Sequence, residues 1–452
     1  MKHRLIVLLI ALTACSNAHA LESVPKAEYR QRRVALAEKL NGGVAILFAA
    51  EEPILDFMPY RQDEDFYYLT GWNEPGAALV VVAGTPSAAA TETSAARAAR
   101  PYREILFLPT RNPRIEKYTG EKMDASTGGV TTVTGVDEVL PMTEMPSVLN
   151  GLVAADRGRL RNLWAEEDSK QAKALVGFTA LTLGAGDAPA TRDVADLTML
   201  LRAVKSPAEL ELLKKASDAS IAAQLAEMKA VRPGVTERKV AGVITEKLME
   251  GGCERVSYAP IVGSGKNSTT LHYSENSATM KAGDDVVIDA AGEYSMYASD
   301  ITRTLPVDGH FTARQREIYD IVLGAQRAAA AAFVAGKSKI NDPNHREPDS
   351  LDQVAFDYVN AHGKDLHGQP LGQYMVHGLG HLVGIDVHDP WNYTKPLDKG
   401  MVFTIEPGIY LPEEGFGVRI EDVFYVDQQG RLVDLIAKLP HEAADIEAAM
   451  KH

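Results

Sequence analysis

The chain has 452 residues, of which 45% are hydrophobic, and its 61 Asp and Glu residues outnumber its 47 Lys and Arg residues to give a net charge of -14. This length exceeds what one hydrophobic core usually serves, so we expect two domains. An acidic chain without a basic stripe repels polyanions, which excludes nucleic acid as an expected partner.

The first twenty residues have the charge order of an export signal. Basic residues at 2–4 precede an apolar run at 5–12, which is too short to span a bilayer. Two processing sites fit the segment: Ala-His-Ala at 18–20 suits signal peptidase, whereas Leu-Thr-Ala-Cys at 12–15 resembles the lipobox of bacterial lipoproteins. We therefore expect a signal peptide at 1–20 and a periplasmic protein that contacts the membrane only if Cys15 is lipidated.

Residues 21–188 are expected to form a smaller α/β domain. Hydrophobic periodicity predicts one helix and three strands, at Glu28–Leu40, Val44–Phe48, Ala78–Ala83 and Ile105–Leu108. Residues 85–100 are rich in Ala, Thr and Ser and read as an exposed insertion. A cluster of Gly, Ala, Asp and Pro at 184–191 marks the boundary with the second domain, 189–452.

The second domain begins with a strong helix signal. Ser206 is an N-cap residue, Pro207 takes the first helical position and Glu209 completes a capping box, so a helix is predicted to about Val231. Strands are predicted at 286–289, 298–305, 401–406 and 418–426, with a helix from Thr312. This order indicates an α+β domain with an antiparallel sheet.

Acidic residues stand at the ends of these predicted strands. Asp289 closes one strand and Asp300 opens the next, and the connection, which contains Gly292, is short enough for a hairpin turn. The two carboxylates are therefore expected to face each other across adjacent antiparallel strands. Facing carboxylates repel each other unless something cationic lies between them.

A second acidic pair follows. Glu406 ends an apolar run, and Glu421 shares a strand face with Arg419 because side chains alternate along a strand. Four acidic groups are too many to bury unpaired, and one arginine cannot neutralise them. We therefore expect two divalent cations.

The remaining metal ligand is expected to be a histidine. Histidines are concentrated around His377-Gly378-Leu379-Gly380-His381. The two glycines argue against the helical His-Glu-x-x-His motif of zinc proteases, which also needs a glutamate after its first histidine. His381 is the candidate ligand.

These segments resemble the motifs of the pita-bread metallopeptidases, and among them most closely aminopeptidase P. The motifs are Val287-Ile288-Asp289-Ala290, Asp300-Ile301-Thr302-Arg303-Thr304, His377-Gly378-Leu379-Gly380-His381, Glu406-Pro407-Gly408 and Arg419-Ile420-Glu421. Tyr60-Arg61-Gln62 and Leu69-Thr70-Gly71-Trp72 resemble the N-terminal domain of that family. The resemblance implies a C-terminal pita-bread catalytic domain preceded by a smaller α/β N-terminal domain.

The resemblance also implies a role for each acidic residue. Asp289 binds one metal ion, His381 and Glu406 bind the other, and Asp300 and Glu421 bridge both. Glu406 is in addition the implied proton shuttle. Oxygen-rich ligation without sulfur favours Mn²⁺, with cobalt or zinc as alternatives.

Further site residues follow from the same resemblance. His272, His377 and His388 are similar to the histidines that line the family's substrate pocket, and Tyr410 and Arg419 are similar to its outer supports. The implied activity is removal of the N-terminal residue from peptides with proline in the second position. Family members of this type imply a homodimer or homotetramer.

Three other functions share this fold. A prolidase would cleave only Xaa-Pro dipeptides, and sequence inspection barely separates it from an aminopeptidase. A non-catalytic pita-bread binding module generally lacks the ligand set, and creatinase works without the metals. The five intact ligand positions count against the last two.

Overall fold

The computed structural model describes residues 21–52, 60–84, 102–155, 162–166, 169–175, 191–342, 347 and 349–451. The predicted signal at 1–20, the insertion at 85–100 and nearly all of the boundary at 184–191 lie outside these residues, so the domain division at 188 stays a prediction. Within the described ranges, every helix is too short or too polar to cross a membrane.

A six-stranded mixed sheet forms the centre of the N-terminal half, with strand order β4-β3-β2-β1-β5-β6. Its strands are β1 Val44–Phe48, β2 Ala78–Ala83, β3 Tyr102–Leu108, β4 Glu138–Pro141, β5 Leu163–Ala165 and β6 Arg192–Asp193. The associated helices are α1 Lys26–Lys39, α2 Glu64–Thr70, α3 Glu116–Thr119, α4 Val130–Thr134 and α5 Met145–Ala155. Alternate residues of β1 enter different hydrophobic clusters, so both faces of the sheet are covered.

Strand β3 begins three residues before the predicted Ile105. The prediction began too late because the strand contains one residue of a buried ion pair. Glu104 is fully buried in the strand and accepts a hydrogen bond of 2.7 Å from Nε of Arg33, which is also fully buried. A charged residue normally argues against a strand interior. Here the partner comes from α1, far away in sequence, and no local pattern contains it.

Three helices lead into the second half: α6 Ala195–Arg202, α7 Pro207–Ala230 and α8 Glu237–Glu250. The capping box predicted for α7 is confirmed. Ser206 Oγ accepts from the Glu209 amide at 3.1 Å, and Glu209 Oε2 accepts from the Ser206 amide at 2.9 Å. These reciprocal bonds satisfy two of the amides that a helix start leaves without partners.

The second half is built from short antiparallel sheets, with strand orders β12-β9-β8, β13-β16-β17, β14-β15 and β11-β10-β7. The strands are β7 Arg255–Val256, β8 Ile261–Ser264, β9 Asp285–Asp289, β10 Gly292–Tyr294, β11 Tyr297–Ala298, β12 Thr302–Pro306, β13 Val402–Ile405, β14 Gly408–Leu411, β15 Phe416–Arg419, β16 Asp422–Val426 and β17 Leu432–Asp434. The helices are α9 Ala313–Ala332, α10 Leu351–His362 and α11 Ala443–Met450. The α+β prediction is confirmed.

The predicted hairpin between Asp289 and Asp300 is wrong in detail. β9 and β12 do pair antiparallel, but Asp289 lies opposite Thr302, and the intervening residues form a second hairpin from β10 and β11. The tight turn is at Ser295 and Met296, both of which have positive φ. That small hairpin pairs with β7 and so leaves the main ladder.

The predicted strand at 418–426 is two strands. β15 pairs with β14, whereas β16 pairs with β13 in a different sheet. The chain changes sheets at Ile420 and Glu421, and Glu421 instead forms an isolated bridge with Thr302. Apolar residues continue across this break because both strands are buried, so the sequence pattern could not mark it.

A buried ionic network connects the two halves. Arg202 at the end of α6 donates to Asp65 of α2 at 2.8 Å and to Asp389 at 2.5 Å. Lys205 donates to the other oxygen of Asp389 at 2.6 Å. The two cations hold the pKa of Asp389 below its usual value, although burial alone would raise it.

We predict that Asp389→Asn lowers the free energy of unfolding by about 3–5 kcal/mol, because it leaves Arg202 and Lys205 buried without their shared counter-charge. Urea denaturation would measure the change. Asp218→Asn is the matched control, since Asp218 pairs with Lys438 on an exposed surface and should have little effect. Equal stability of the two variants would contradict a structural role for the network.

Candidate metal centre

Five side chains from separate elements converge on one point of the second half. Asp289 is the last residue of β9, Asp300 precedes β12, Glu406 follows β13 and Glu421 lies between β15 and β16. His381 comes from the loop before β13, where Leu382 bridges to Phe403. Strand ends are rigid positions, so the backbone that carries the four carboxylates is fixed.

The converging groups form three overlapping sets. Donor atoms of Asp289, Asp300 and Glu421 lie within 4.8 Å of one another, and so do donor atoms of His381, Glu406 and Glu421. A third such set contains Asp300, His381 and His388. Glu421 is common to the first two sets, and Asp300 occurs in the first and third.

His381 presents one ring nitrogen to the carboxylates. Its Nδ1 donates to the carbonyl of Leu382 at 3.1 Å, which directs Nε2 towards Asp300 and Glu406, each at 3.4 Å. Burial lowers the pKa of His381, but the hydrogen bond to Asp300 and the charge of Glu406 outweigh it and raise the pKa to about 9. The Nδ1 contact is the kind of outer hydrogen bond that fixes the tautomer of a metal-binding histidine.

The charge of the cluster tests whether cations fit it. Burial raises the pKa of Glu406 to about 7 and raises the pKa values of Asp289 and Glu421. Arg419 donates to Asp289 at 2.7 Å, and its single charge compensates at most one of the four carboxylates. An oxygen-rich, undercompensated set of this kind fits two divalent cations.

Three hydroxyls complete the cluster, and none of them was predicted from the sequence. Tyr258 lies within hydrogen-bond distance of both Asp289 and Asp300, and it carries one proton, so it donates to one of them at a time. Thr302 donates to Glu421 at 2.7 Å, and Thr404 donates to Glu406 at 3.3 Å.

Two of these hydroxyls had a signal in the sequence. Thr302 stands two residues after Asp300, and Thr404 stands two residues before Glu406. Side chains two residues apart in an extended segment point to the same face. Tyr258 had no such signal, because it follows β7 and reaches the cluster from another sheet.

The cluster lies in the wall of a cavity of about 710 Å³. His272, His377 and His388, which were predicted to line the substrate pocket, border this cavity together with Arg419. Tyr410 does not border it and lies behind His377. The volume is in the range of small-ligand sites.

Comparison with known proteins assigns the family. Residues 211–428 match metallopeptidase family M24, and residues 29–160 match the aminopeptidase P, N-terminal domain. The Xaa-Pro aminopeptidase of Haemophilus influenzae is 32% identical over 453 residues, covering 95% of this chain and 98% of that protein. The chain belongs to the aminopeptidase P family of metallopeptidases.

Solved structures agree with this assignment. Proline aminopeptidase P II from Yersinia pestis matches with a TM-score of 0.80 and 32% identity, covering 94% of this chain and 99% of that one. Aminopeptidase P from Escherichia coli with the inhibitor Pro-Leu matches with a TM-score of 0.79 and 30% identity, covering 95% and 99%. The predicted family and fold class are confirmed.

In this member of the aminopeptidase P family, a hydrogen-bonded chain leads outward from Asp289. Arg419 donates to the hydroxyl oxygen of Tyr410 at 2.8 Å, so the Tyr410 proton is directed to Nε2 of His377, also at 2.8 Å. His377 Nδ1 then donates to the carbonyl of Gly378 at 2.8 Å. Burial and the charge of Arg419 lower the pKa of His377 to about 4, which keeps the imidazole neutral.

The other two cavity histidines differ in their surroundings. The ring of His388 packs against His381 with centroids 3.9 Å apart, and burial and the charge of His381 lower the pKa of His388 to about 4. His272 is exposed at the cavity wall. His388 is likewise exposed, so both histidines face the cavity, and His388 in addition contacts a candidate metal ligand.

We predict that Mn²⁺ binding to the metal-free protein releases protons and strengthens as the pH rises from about 6 to 8. Glu406, with a pKa of about 7, and His381, with a pKa of about 9, must both lose a proton before they bind a cation. Each displaced proton changes the affinity by up to about tenfold per pH unit.

Titration calorimetry in two buffers with different ionisation enthalpies would count the released protons. The same heat in both buffers, together with an affinity that does not change with pH, would contradict the prediction.

Proposed function

We propose that Asp289, Asp300, His381, Glu406 and Glu421 hold two divalent metal ions at the centre of a peptidase site. Asp289 would hold one ion, His381 and Glu406 would hold the other, and Asp300 and Glu421 would contribute to both. The observation that carries this proposal is the convergence of four carboxylates and one histidine nitrogen in two overlapping sets within 4.8 Å.

The chain is a metal-dependent Xaa-Pro aminopeptidase, that is, a metallo-exopeptidase, since relatives with this name match nearly its full length. Divalent ions held by these five residues would supply Lewis acidity and a water molecule of lowered pKa for hydrolysis of the peptide bond. We propose Mn²⁺ as the native metal because four of the five candidate ligands are carboxylates and none of the five carries sulfur. A zinc-substituted form of the E. coli enzyme is among the similar structures, so several divalent ions are alternatives.

We propose that Glu406 moves the proton in the reaction. Its carboxylate borders the cavity and is held by Thr404 at 3.3 Å. The amide nitrogen that leaves must receive a proton as the bond breaks, and the proline nitrogen carries no N–H before this step. A carboxylate between the attacking water and that nitrogen can accept a proton from the water and deliver it to the nitrogen.

The surrounding residues have positioning tasks in this proposal. Arg419 holds Asp289, Tyr410 connects Arg419 to His377, and the histidines His272 and His388 bind the substrate peptide along the cavity wall. Tyr410 has its pKa raised to about 12 by burial, so it stays a neutral donor at neutral pH. Its hydrogen bond to His377 is therefore kept across the working range.

We predict that the Mn²⁺-loaded protein releases only the first residue from long peptides that begin with Xaa-Pro and does not cleave peptides without proline at the second position. Products would be identified by mass. Asp300→Asn, purified in the same way, controls for contaminating peptidases. It should lose more activity than the roughly 10–100-fold that removing an outer partner of a metal ligand costs.

The outcomes separate the remaining functions. Cleavage restricted to dipeptides would identify a prolidase. Failure to cleave both the Xaa-Pro dipeptides and the longer Xaa-Pro peptides would favour a binding module. Full activity of rigorously metal-free protein would contradict the metal mechanism.

Export is also a proposal, supported by the basic and apolar order of residues 1–20. We predict that the mature N-terminus differs from Met1, and intact mass measurement of the native protein would establish it. A start at Leu21 would indicate a soluble periplasmic enzyme, whereas acyl chains on Cys15 would indicate a lipoprotein. Native protein that retains Met1 would contradict export.

Assembly into a homodimer or homotetramer stays a prediction as well. Sedimentation velocity of the purified protein is the direct check.

A further inference from the structure

Gln224 joins the backbone next to two of the proposed metal ligands. This residue of α7 is fully buried, and its Nε2 donates to the carbonyls of Ala290 at 3.1 Å and Ile301 at 3.2 Å. Ala290 follows Asp289, and Ile301 follows Asp300. Both neighbours are carbonyl oxygens, so only the NH₂ end of the side chain can face them. One carboxamide therefore connects the two chain segments from which these aspartates project.

Gln326 does the same for the other carboxylate pair. It lies on α9 and is buried. Its Nε2 donates to the backbone carbonyl of Ile405 at 3.0 Å and to the side-chain carboxylate of Asp422 at 2.8 Å. Ile405 precedes Glu406, and Asp422 follows Glu421. The two residues are paired in the β13–β16 ladder, so the amide spans the rung beside the two glutamates.

Asn341 holds the backbone next to the histidine candidate, His381. Its Nδ2 donates to the carbonyl of Gly380 at 2.8 Å, and its Oδ1 accepts from the amide of Gly380 at 3.2 Å. Gly380 directly precedes His381. The close fit leaves no room for a side chain, since a Cβ at Gly380 would lie 2.2 Å from the carbonyl oxygen of Thr404.

We propose that Gln224, Gln326 and Asn341 are positioning residues of the metal centre, a proposal that rests on the proposed function. All five proposed ligands stand next to a residue that one of the three carboxamides holds. A metal site needs its ligands placed within about 0.5 Å, and the mutual repulsion of four carboxylates works against that placement. Neutral amides oppose the displacement from behind without adding charge to the cluster.

The N-terminal half contains a matched control. Gln62 is buried, and its Nε2 donates to the carbonyls of Trp72 at 3.0 Å and Glu74 at 3.1 Å. Trp72 and Glu74 lie in one segment, and Gln62 Oε1 also accepts from the amides of Ala50 at 2.7 Å and Asp63 at 2.9 Å. Gln62 is thus a buried carboxamide that holds backbone like Gln224, but it holds none of the proposed ligands. Methionine has the length of glutamine but no amide group, so Gln→Met removes two hydrogen bonds at Gln224 and at Gln326, and at Gln62 it removes the two donated bonds and the two accepted ones.

We expect Gln224→Met and Gln326→Met to weaken Mn²⁺ binding by about tenfold or more, and Asn341→Ala to do so as well. Gln62→Met should bind Mn²⁺ like the unchanged protein even if it is equally destabilised. Titration calorimetry of the metal-free full chain with MnCl₂ gives the affinities. Electron paramagnetic resonance reports whether the two ions remain coupled, and kcat and KM complete the comparison.

Three variants are used so that the test does not depend on the folding of any one of them. Asn341 lies on a half-buried loop, so Asn341→Ala carries the test if either glutamine variant fails to fold. Unchanged Mn²⁺ affinity in the folded variants would overturn the inference, and so would an equal loss in Gln62→Met. If the unchanged protein binds no pair of Mn²⁺ ions, the proposed function fails and this inference fails with it. Two sites of unaltered affinity in the variants contradict the inference alone.

Discussion

The repulsion among four buried carboxylates is the constraint on which this structure depends. Asp289, Asp300, Glu406 and Glu421 lie close together, and burial raises the pKa values of Asp289, Glu406 and Glu421. Arg419 supplies one compensating charge. The rest of the catalytic half can be understood as a frame that holds an unfavourable arrangement in place until cations bind.

That frame has two similar parts, although the sequence contains no repeat at a fixed period. In one part β9 and β12 provide the two aspartates, and in the other β13 and the chain before β16 provide the two glutamates. A long helix lies behind each pair, α7 in the first part and α9 in the second. The likeness is one of placement in space, which side-chain identity along the chain does not reveal.

The N-terminal half contributes to the site through the loop that carries His388. Arg61 donates to the carbonyl of Ile385 at 2.8 Å and to Glu293 at 2.8 Å, and Arg202 and Lys205 hold Asp389, next to His388. Because His388 packs on His381, the position of this loop affects both the cavity wall and a candidate ligand. The interface between the halves therefore supports the loop that carries His388.

The sequence by itself determined the α+β class, the capping box of α7 and the strands β1 and β2, because each is written in local spacing or a short motif. It also predicted the five acidic and histidine ligand candidates from short motifs. Only the tertiary structure decided the change of sheet at Glu421, the second hairpin after Asp289, the extension of β3 through the Arg33–Glu104 pair and the contact of Tyr258 with two aspartates. Each of these depends on a partner distant in sequence, and burial on both sides removes the polar alternation that would mark it.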